Sequence, residues 1–219
     1  MTKGYKGLPM EGIIASWYAK TTLKDMKRHK GMAKQMVEKI PPHGKVLEIA
    51  PGPGYFSIEL AKLGDYQITG LDISQSFVEI AHRNAAEAGV KVDFRQGNAS
   101  AMPFEENRFD FTFCQAAFKN FSEPVKAIAE MYRVLRPGGV SVISDLRRDA
   151  SAAEIEREIR GMGIGPINRF LVRWTFKKML LKSAYSVDEM KAMVAQTPFR
   201  EGKITADGLG FQVWLEKTS

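Results

Sequence analysis

The 219-residue chain is predicted to form an open, doubly wound, mostly parallel α/β sheet closed by an antiparallel hairpin. Three observations carry this. Short apolar runs alternate with stretches of helical periodicity from Val46 to Ser144. One of those runs, Phe109 to Cys114, is apolar nearly throughout, as a parallel strand covered on both faces must be. The last two runs, Lys203 to Thr205 and Phe211 to Leu215, flank an Asp207-Gly208 turn signal.

The elements follow in order. Residues 10–40 read as helical, with apolar positions that include Ile13, Ile14, Trp17, Leu23, Met26, Met32, Met36 and Val37, and Pro41-Pro42 stops them. Next come a strand over 46–50, a helix over 55–63, a strand over 67–72 and a helix over 75–88 capped by Ser74 and followed by Gly89. A third strand, Lys91 to Arg95, runs into the turn Gln96-Gly97-Asn98-Ala99. After the fourth strand, Ser122 is expected to cap a helix with Pro124 in its first turn, ending near Leu135. Pro137-Gly138-Gly139 then turns the chain into strand Val140 to Ser144. Residues 147–183 read as a helical, basic segment without a strand, best placed as a cap beside the sheet. Ser186 with Glu189 forms a capping box for a helix over 187–195.

Composition bounds the function. An apolar fraction of 44% and 219 residues suit one domain with a substantial core. No apolar run approaches the roughly 20 residues that cross a bilayer, and the first residues lack a secretory signal, so a cytoplasmic protein with no membrane span is expected. The single cysteine, Cys114, excludes an internal disulfide framework and a Cys-based zinc cluster, and no metal is expected. The net charge of +7 gathers in Lys20 to Lys34 and in Arg157 to Lys182. Such segments attract nucleic acid, anionic lipid or acidic substrates, or are simply solvated helix faces. No nucleic-acid module is recognisable, which makes nucleic acid an unlikely partner.

The most informative stretch is Val46-Leu47-Glu48-Ile49-Ala50-Pro51-Gly52-Pro53-Gly54-Tyr55. It reads as strand, glycine turn, helix, the arrangement that presents backbone N–H groups to a nucleotide-like ligand. Asp72 ends the next strand, 20 residues after Gly52, about the separation at which a carboxylate accepts from ribose hydroxyls. Further elements follow in order: Gly97-Asn98-Ala99-x-x-Met102-Pro103-Phe104, Phe109-Asp110, and Arg133-Val134-Leu135-Arg136-Pro137-Gly138-Gly139. With Glu48-x-Ala50-x-Gly52-x-Gly54 and Leu71-Asp72, these make the chain resemble the class I S-adenosylmethionine-dependent methyltransferases over roughly residues 44–145. Two departures stand out: Ala50 replaces that family's first glycine, and Asn98 replaces an aspartate facing adenine.

The resemblance implies a Rossmann-like, seven-stranded sheet in a single domain over 1–219. That domain would comprise an N-terminal helical segment (1–43), a cofactor-binding core (44–146), a helical cap (147–184) and a terminal helix with hairpin (185–219). It implies S-adenosyl-L-methionine as cofactor, S-adenosyl-L-homocysteine as product and a small-molecule methyl acceptor. By the same resemblance Gly52, Gly54 and Ala50 approach the methionine end, and Glu48 helps hold its ammonium group. Asp72 takes the ribose hydroxyls, Ile73 packs on the adenine, and Asn98 and Ala99 line its edge. The backbone near Gln115 accepts from the ammonium and Phe118 packs near the methionine chain. Tyr18, an N-terminal tyrosine, closes over the reacting centre. Several have a plainer reading: a strand–helix turn for the glycines, an acidic strand end for Glu48, a helix N-terminal acid for Asp72, a turn former for Asn98 and a core-facing residue for Tyr18. Tyr18, His29 and Lys119 are the only, weak, catalytic candidates, and Cys114 reads as a buried small hydrophobe. The oligomeric state, the acceptor and the methylated atom stay open.

Other functions compete. A nicotinamide-dependent oxidoreductase would use the same turn, but Ser57 occupies the third glycine position of its G-x-G-x-x-G motif. An RNA methyltransferase or a non-catalytic cofactor-binding module also fits the basic charge and the turn. The basic-apolar cap (Phe170, Leu171 and Trp174, with Arg169, Arg173 and Lys177) reads either as a lid over an apolar substrate or as a membrane-lying surface.

Overall fold

A computed structural model describes residues 4–7, 10–161 and 181–218. Seven strands form one sheet: β1 (Lys45–Ile49), β2 (Gln67–Asp72), β3 (Asp93–Gln96), β4 (Phe109–Gln115), β5 (Leu135–Leu146), β6 (Lys203–Asp207) and β7 (Gly210–Glu216). Their spatial order is β3-β2-β1-β4-β5-β7-β6. The first five run parallel, while β7 is antiparallel to both β5 and β6. The closing hairpin therefore enters with its second strand: β7 inserts between β5 and β6, aligning Asp145 with Phe211.

Helices α1 (Gly12–Thr22), α2 (Met26–Val37), α3 (Tyr55–Ala61), α4 (Gln75–Glu87), α5 (Pro124–Val134), α6 (Ala152–Gly161) and α7 (Val187–Ala195) surround the sheet. Strand residues alternate between two cores, as the period of two demands. Val46, Phe111, Phe113 and Val142 meet Ala33, Met36 and Phe56 on one face. Leu47, Ile49, Cys114 and Ile143 meet Ile128, Met131, Met190 and Val194 on the other. In the first layer the Phe56 and Phe113 rings lie 4.2 Å apart.

Local differences from the sequence reading have physical causes. The expected helix over 10–40 breaks at a 3-10 turn, Leu23–Asp25, so that α1 packs on α4 while α2 turns to the sheet. Glu123, not Ser122, stands at the N-cap of α5, because Pro124 starts the helix; the Ser122 amide instead donates to the Gly4 carbonyl. Strand β5 starts early, pairing Leu135 with Phe109 across a register irregularity before the regular ladder from Val140. The Ser74 cap on α4 and the Ser186–Glu189 capping box on α7 form as expected. Most of the basic cap, 162–180, including Phe170, Leu171 and Trp174, lies outside the described residues.

The turn after β1 holds three left-handed residues, Ala50, Gly52 and Gly54. Ala50 has φ +56°, a left-handed conformation that an L-residue adopts at a cost of roughly 1–2 kcal/mol. Its amide still donates to the Leu71 carbonyl at 2.8 Å, so the ladder holds the strain in place. Gly54 has φ +79° and starts α3; a Cβ there would lie 2.7 Å from Phe94 Cζ and 3.0 Å from Ala81 Cβ. Ala50→Gly is therefore expected to stabilise the protein by about 1 kcal/mol, raising Tm by roughly 2–4 °C. Gly54→Ala should cost about 2 kcal/mol or more. Thermal denaturation followed by circular dichroism checks both, and equal melting of wild type and Ala50→Gly would contradict the strain.

Candidate functional site

The parallel strands deliver their C-terminal ends to one edge, where chain order reverses between β1 and β4. Residues expected to bind the cofactor converge there from the ends of β1, β2, β3 and β4. Asp72, at the end of β2, is buried, and its carboxylate accepts from the Gly52 amide at 2.9 Å and the Ser74 amide at 2.9 Å. It thus ties the glycine turn to the start of α4. Gly52 has φ +54°, and beyond its chain neighbours no atom of the described residues lies within 4 Å of where a Cβ would sit, so its backbone faces open space. Gly54, by contrast, is needed for packing against Phe94 and Ala81.

Glu48 is buried one strand away, and its carboxylate accepts from the amide and hydroxyl of Ser57 in the first turn of α3. Burial pushes Glu48 up to about 7, against the pull of the Ser57 bonds, and Asp72 adds to the rise. Asp72 is likewise raised by burial to about 6, against its backbone hydrogen bonds. Neither acid is paired with a cation among the described residues, so a cationic ligand would stabilise their charged forms.

At the end of β4, Gln115 Oε1 is buried and has no hydrogen-bond partner among the described residues. Ala116 follows with φ +56°, so the chain leaves β4 with the same left-handed step it takes after β1. A buried acceptor without a donor costs about 1–3 kcal/mol and is satisfied by a ligand N–H. Open space before Gly52, two raised carboxyls and this amide oxygen fit an adenosyl ligand with a cationic amino-acid tail. Among the described residues no group of three or more His, Cys, Asp or Glu is arranged to hold a metal ion.

The other candidates are placed as follows. Ile73 is half-buried, Ala99 packs against the core, and Asn98 Oδ1 accepts from the Ser100 amide in a turn. Phe118 is fully buried among core side chains, with Phe121 and Tyr185 as ring neighbours at 5.4 and 5.8 Å. Tyr18 packs edge-on against Phe77 at 5.7 Å, and His29 lies on α2 beside the Tyr55 ring at 5.8 Å. Lys119 is engaged: its Nζ donates to Asp145 Oδ1 and to the Ala116 carbonyl, each at 2.9 Å, and its amide donates to Asp145 Oδ2. With side chains 11% and 1% exposed, Lys119 and Asp145 form a closed ion pair. Burial holds the Cys114 thiol well above its ordinary range, which leaves it an inert core residue.

Sequence reasoning missed the strap formed by residues 4–7. Tyr5 faces Phe121 in an antiparallel bridge, and the Lys6 amide donates to the Asn120 carbonyl at 2.8 Å. Gly4 lies so close to Ile73 and Asn98 that a Cβ would come within 2.7 and 2.9 Å of their side chains. The strap thus covers Ile73 and Asn98, two of the three residues expected to meet adenine. Burial raises the half-buried Tyr5 hydroxyl, and the charge of Asp72 adds to the shift, which places Tyr5 within electrostatic reach of the site. No periodicity or motif in 4–7 announces this; only the low bulk of Gly4 and Gly7 hints at close packing.

Residues 47–143 match a family model described as a methyltransferase domain. Demethylmenaquinone methyltransferase of Deinococcus radiodurans is 33% identical over 108 residues, covering 49% of this chain and 45% of that protein. A ubiquinone/menaquinone biosynthesis C-methyltransferase of Marinomonas sp. is 33% identical over 110 residues, covering 48% and 44%. The chain thus spans a little under half the length of these two curated relatives. Its fold is similar to that of a Methanococcus maripaludis protein described as a candidate S-adenosyl-L-methionine-dependent methyltransferase. That likeness has a TM-score of 0.78 at 21% identity and covers 97% of this chain and 96% of the other. Over residues 47–143 the chain is thus similar to the class I S-adenosylmethionine-dependent methyltransferases, in its ordered motifs from Glu48 to Gly139 and in its sheet order.

Proposed function

We propose that the protein transfers a methyl group from S-adenosylmethionine to a small organic acceptor by direct in-line displacement. The observation that carries this reading is the bond from the Gly52 amide to Asp72, with open space before Gly52 and the buried, cation-seeking Glu48 alongside. When bound, the cofactor supplies an activated methyl group on a sulfonium. The chain's own part is to hold that group and align the acceptor, which is worth up to roughly 7–11 kcal/mol of barrier in favourable cases.

Residue by residue, Asp72 accepts from ribose hydroxyls, and Ile73, Asn98 and Ala99 receive the adenine beneath the strap. Gly52 leaves room for the backbone to approach the tail, while Glu48 and Gln115 accept from its ammonium, directly or through water. Ala50, Gly54 and Phe118 shape the turn and the wall behind it, and Tyr18 closes the N-terminal side. The Lys119 amine is engaged by Asp145 and by the Ala116 carbonyl, so it orients the loop after β4. The names of the two relatives favour a quinone-type ring as acceptor, methylated at carbon. No metal is invoked.

Ser57 separates this reading from a hydride-transferring one. A dinucleotide site places glycine there for close helix–strand packing, whereas here the Ser57 hydroxyl is spent on Glu48. Isothermal titration is expected to show S-adenosylhomocysteine binding and no NADH binding. Asp72→Asn should weaken the former roughly ten- to a hundredfold in a protein whose melting stays cooperative. Labelled methyl transfer to a demethylated quinol then tests the acceptor. NADH binding, or unchanged affinity in Asp72→Asn, would overturn the assignment.

A pH signature follows from the raised carboxyls. With a folded value near 7, the neutral form of Glu48 is favoured by folding, so its stabilisation is complete below about 4.5 and is lost as pH rises through 7. Urea unfolding of the unliganded protein should lose on the order of 2 kcal/mol between pH 5 and 7.5, and Glu48→Gln should flatten that slope. A bound ammonium reverses the preference and expels the proton. Titrations of S-adenosylhomocysteine at pH 6.5 in buffers of different ionisation enthalpy should therefore register proton release that Glu48→Gln diminishes.

A further inference from the structure

Among the described residues five large apolar side chains are exposed, and four of them lie in one short stretch: Ile13 (88%), Ile14, Trp17 (65%) and Leu23. The inward face of α1 is built from small residues, with Ala15 and Ala19 packed on Phe77 and Ile80 of α4. At about 100° per residue, Ile13, Trp17 and Lys20 fall within about 60° of one another on the opposite face. This inverts the usual distribution, in which the bulky apolar residues turn inward. Exposed cations continue from the same stripe: Lys20, Lys24, Lys27, Arg28, Lys30 and Lys34. Between residues 12 and 37 the only acidic residue is Asp25.

We propose that the outward face of α1 docks on an anionic lipid surface. Ile13, Ile14 and Trp17 enter the boundary between headgroups and acyl chains, while Lys20, Lys24 and Lys27 meet the headgroup charge. The chemistry favours this occupant over the alternatives. A nucleic-acid backbone would use the cations but leave three bulky apolar side chains unburied, whereas an interfacial helix uses both. No helix among the described residues is long and apolar enough to cross a membrane, and the attachment proposed for α1 is that of an interfacial helix.

The face is rigidly joined to the site. Glu11, at the start of α1, accepts from the Gln75 and Ser76 amides at the N-terminus of α4. The Ser74 hydroxyl donates to the Met10 carbonyl, and its amide donates to Asp72. Docking would therefore present the Asp72 end of the cleft at a fixed height beside the bilayer, where an apolar acceptor partitions. The docking itself does not depend on the methyl-transfer reading.

Vesicle co-flotation of the full chain tests it. Wild type should float with phosphatidylcholine vesicles containing phosphatidylglycerol, less at high salt, and stay behind with phosphatidylcholine alone. The pair Ile13→Ser/Trp17→Ser and the pair Lys20→Glu/Lys24→Glu should each lower the partition coefficient about tenfold or more. Both pairs lie at exposed positions and should melt as wild type does. The proposal is overturned if wild type does not float, or if Ile13→Ser/Trp17→Ser floats equally well. It is also overturned if sedimentation without lipid shows a Trp17-dependent oligomer, or if Trp17 is needed for binding RNA instead.

Discussion

Two carboxylates buried side by side at the ends of adjacent parallel strands are the constraint on which this structure turns. Glu48 and Asp72 lose their hydration on folding, and neither is paired with a cation among the described residues. What keeps them tolerable is backbone: Ser57 lies in the first turn of α3, and Ser74 caps α4, so each acid takes amides from the positive end of a helix. The sheet order β2-β1-β4 is what makes these two helix starts neighbours. Move either strand and the charges lose the amides that hold them.

The other end of the same edge is arranged differently. There Asp145 has its cation, Lys119, and also accepts from the Lys119 and Leu146 amides. Charge is thus satisfied beside β5 and unsatisfied beside β1 and β2. In the proposed reading this asymmetry orients the ligand, with the ammonium drawn toward Glu48 and Gln115 and the ribose toward Asp72. A catalytic role for the Lys119 amine is hard to reconcile with it, because freeing that amine would strand a carboxylate that is 1% exposed.

How much of this was legible depended on how local each signal is. The strand–turn–helix around Gly52 and the 20-residue step to Asp72 are short-range patterns, and the structure joins those two residues with one hydrogen bond. The capping box at Ser186 is likewise local. The insertion of β7 between β5 and β6 was not legible, since two adjacent apolar runs announce a hairpin but not which strand pairs with the sheet. The strap over Ile73 and Asn98 was not legible either, because its hydrogen bonds go to residues more than a hundred positions away. Gly52 and Gly54 read alike in sequence; only packing distinguishes the one that faces open space from the one that fits against Phe94.

The first helix shows the same limit from the other side. Its period is readable, with Ile13, Ile14 and Trp17 among the apolar positions of a helix, yet the pattern does not say which face the fold buries. A face of Ala15 and Ala19 allows α1 to approach α4 closely, and the Glu11 carboxylate fixes its position by capping its neighbour. Close approach through small residues leaves the large ones no core to enter. Their exposure is thus a consequence of how α1 is anchored, and relieving it by rotation would drive Trp17 against Phe77 and pull Glu11 off the start of α4. The helix is held to the site on one side and committed to whatever meets its apolar face on the other.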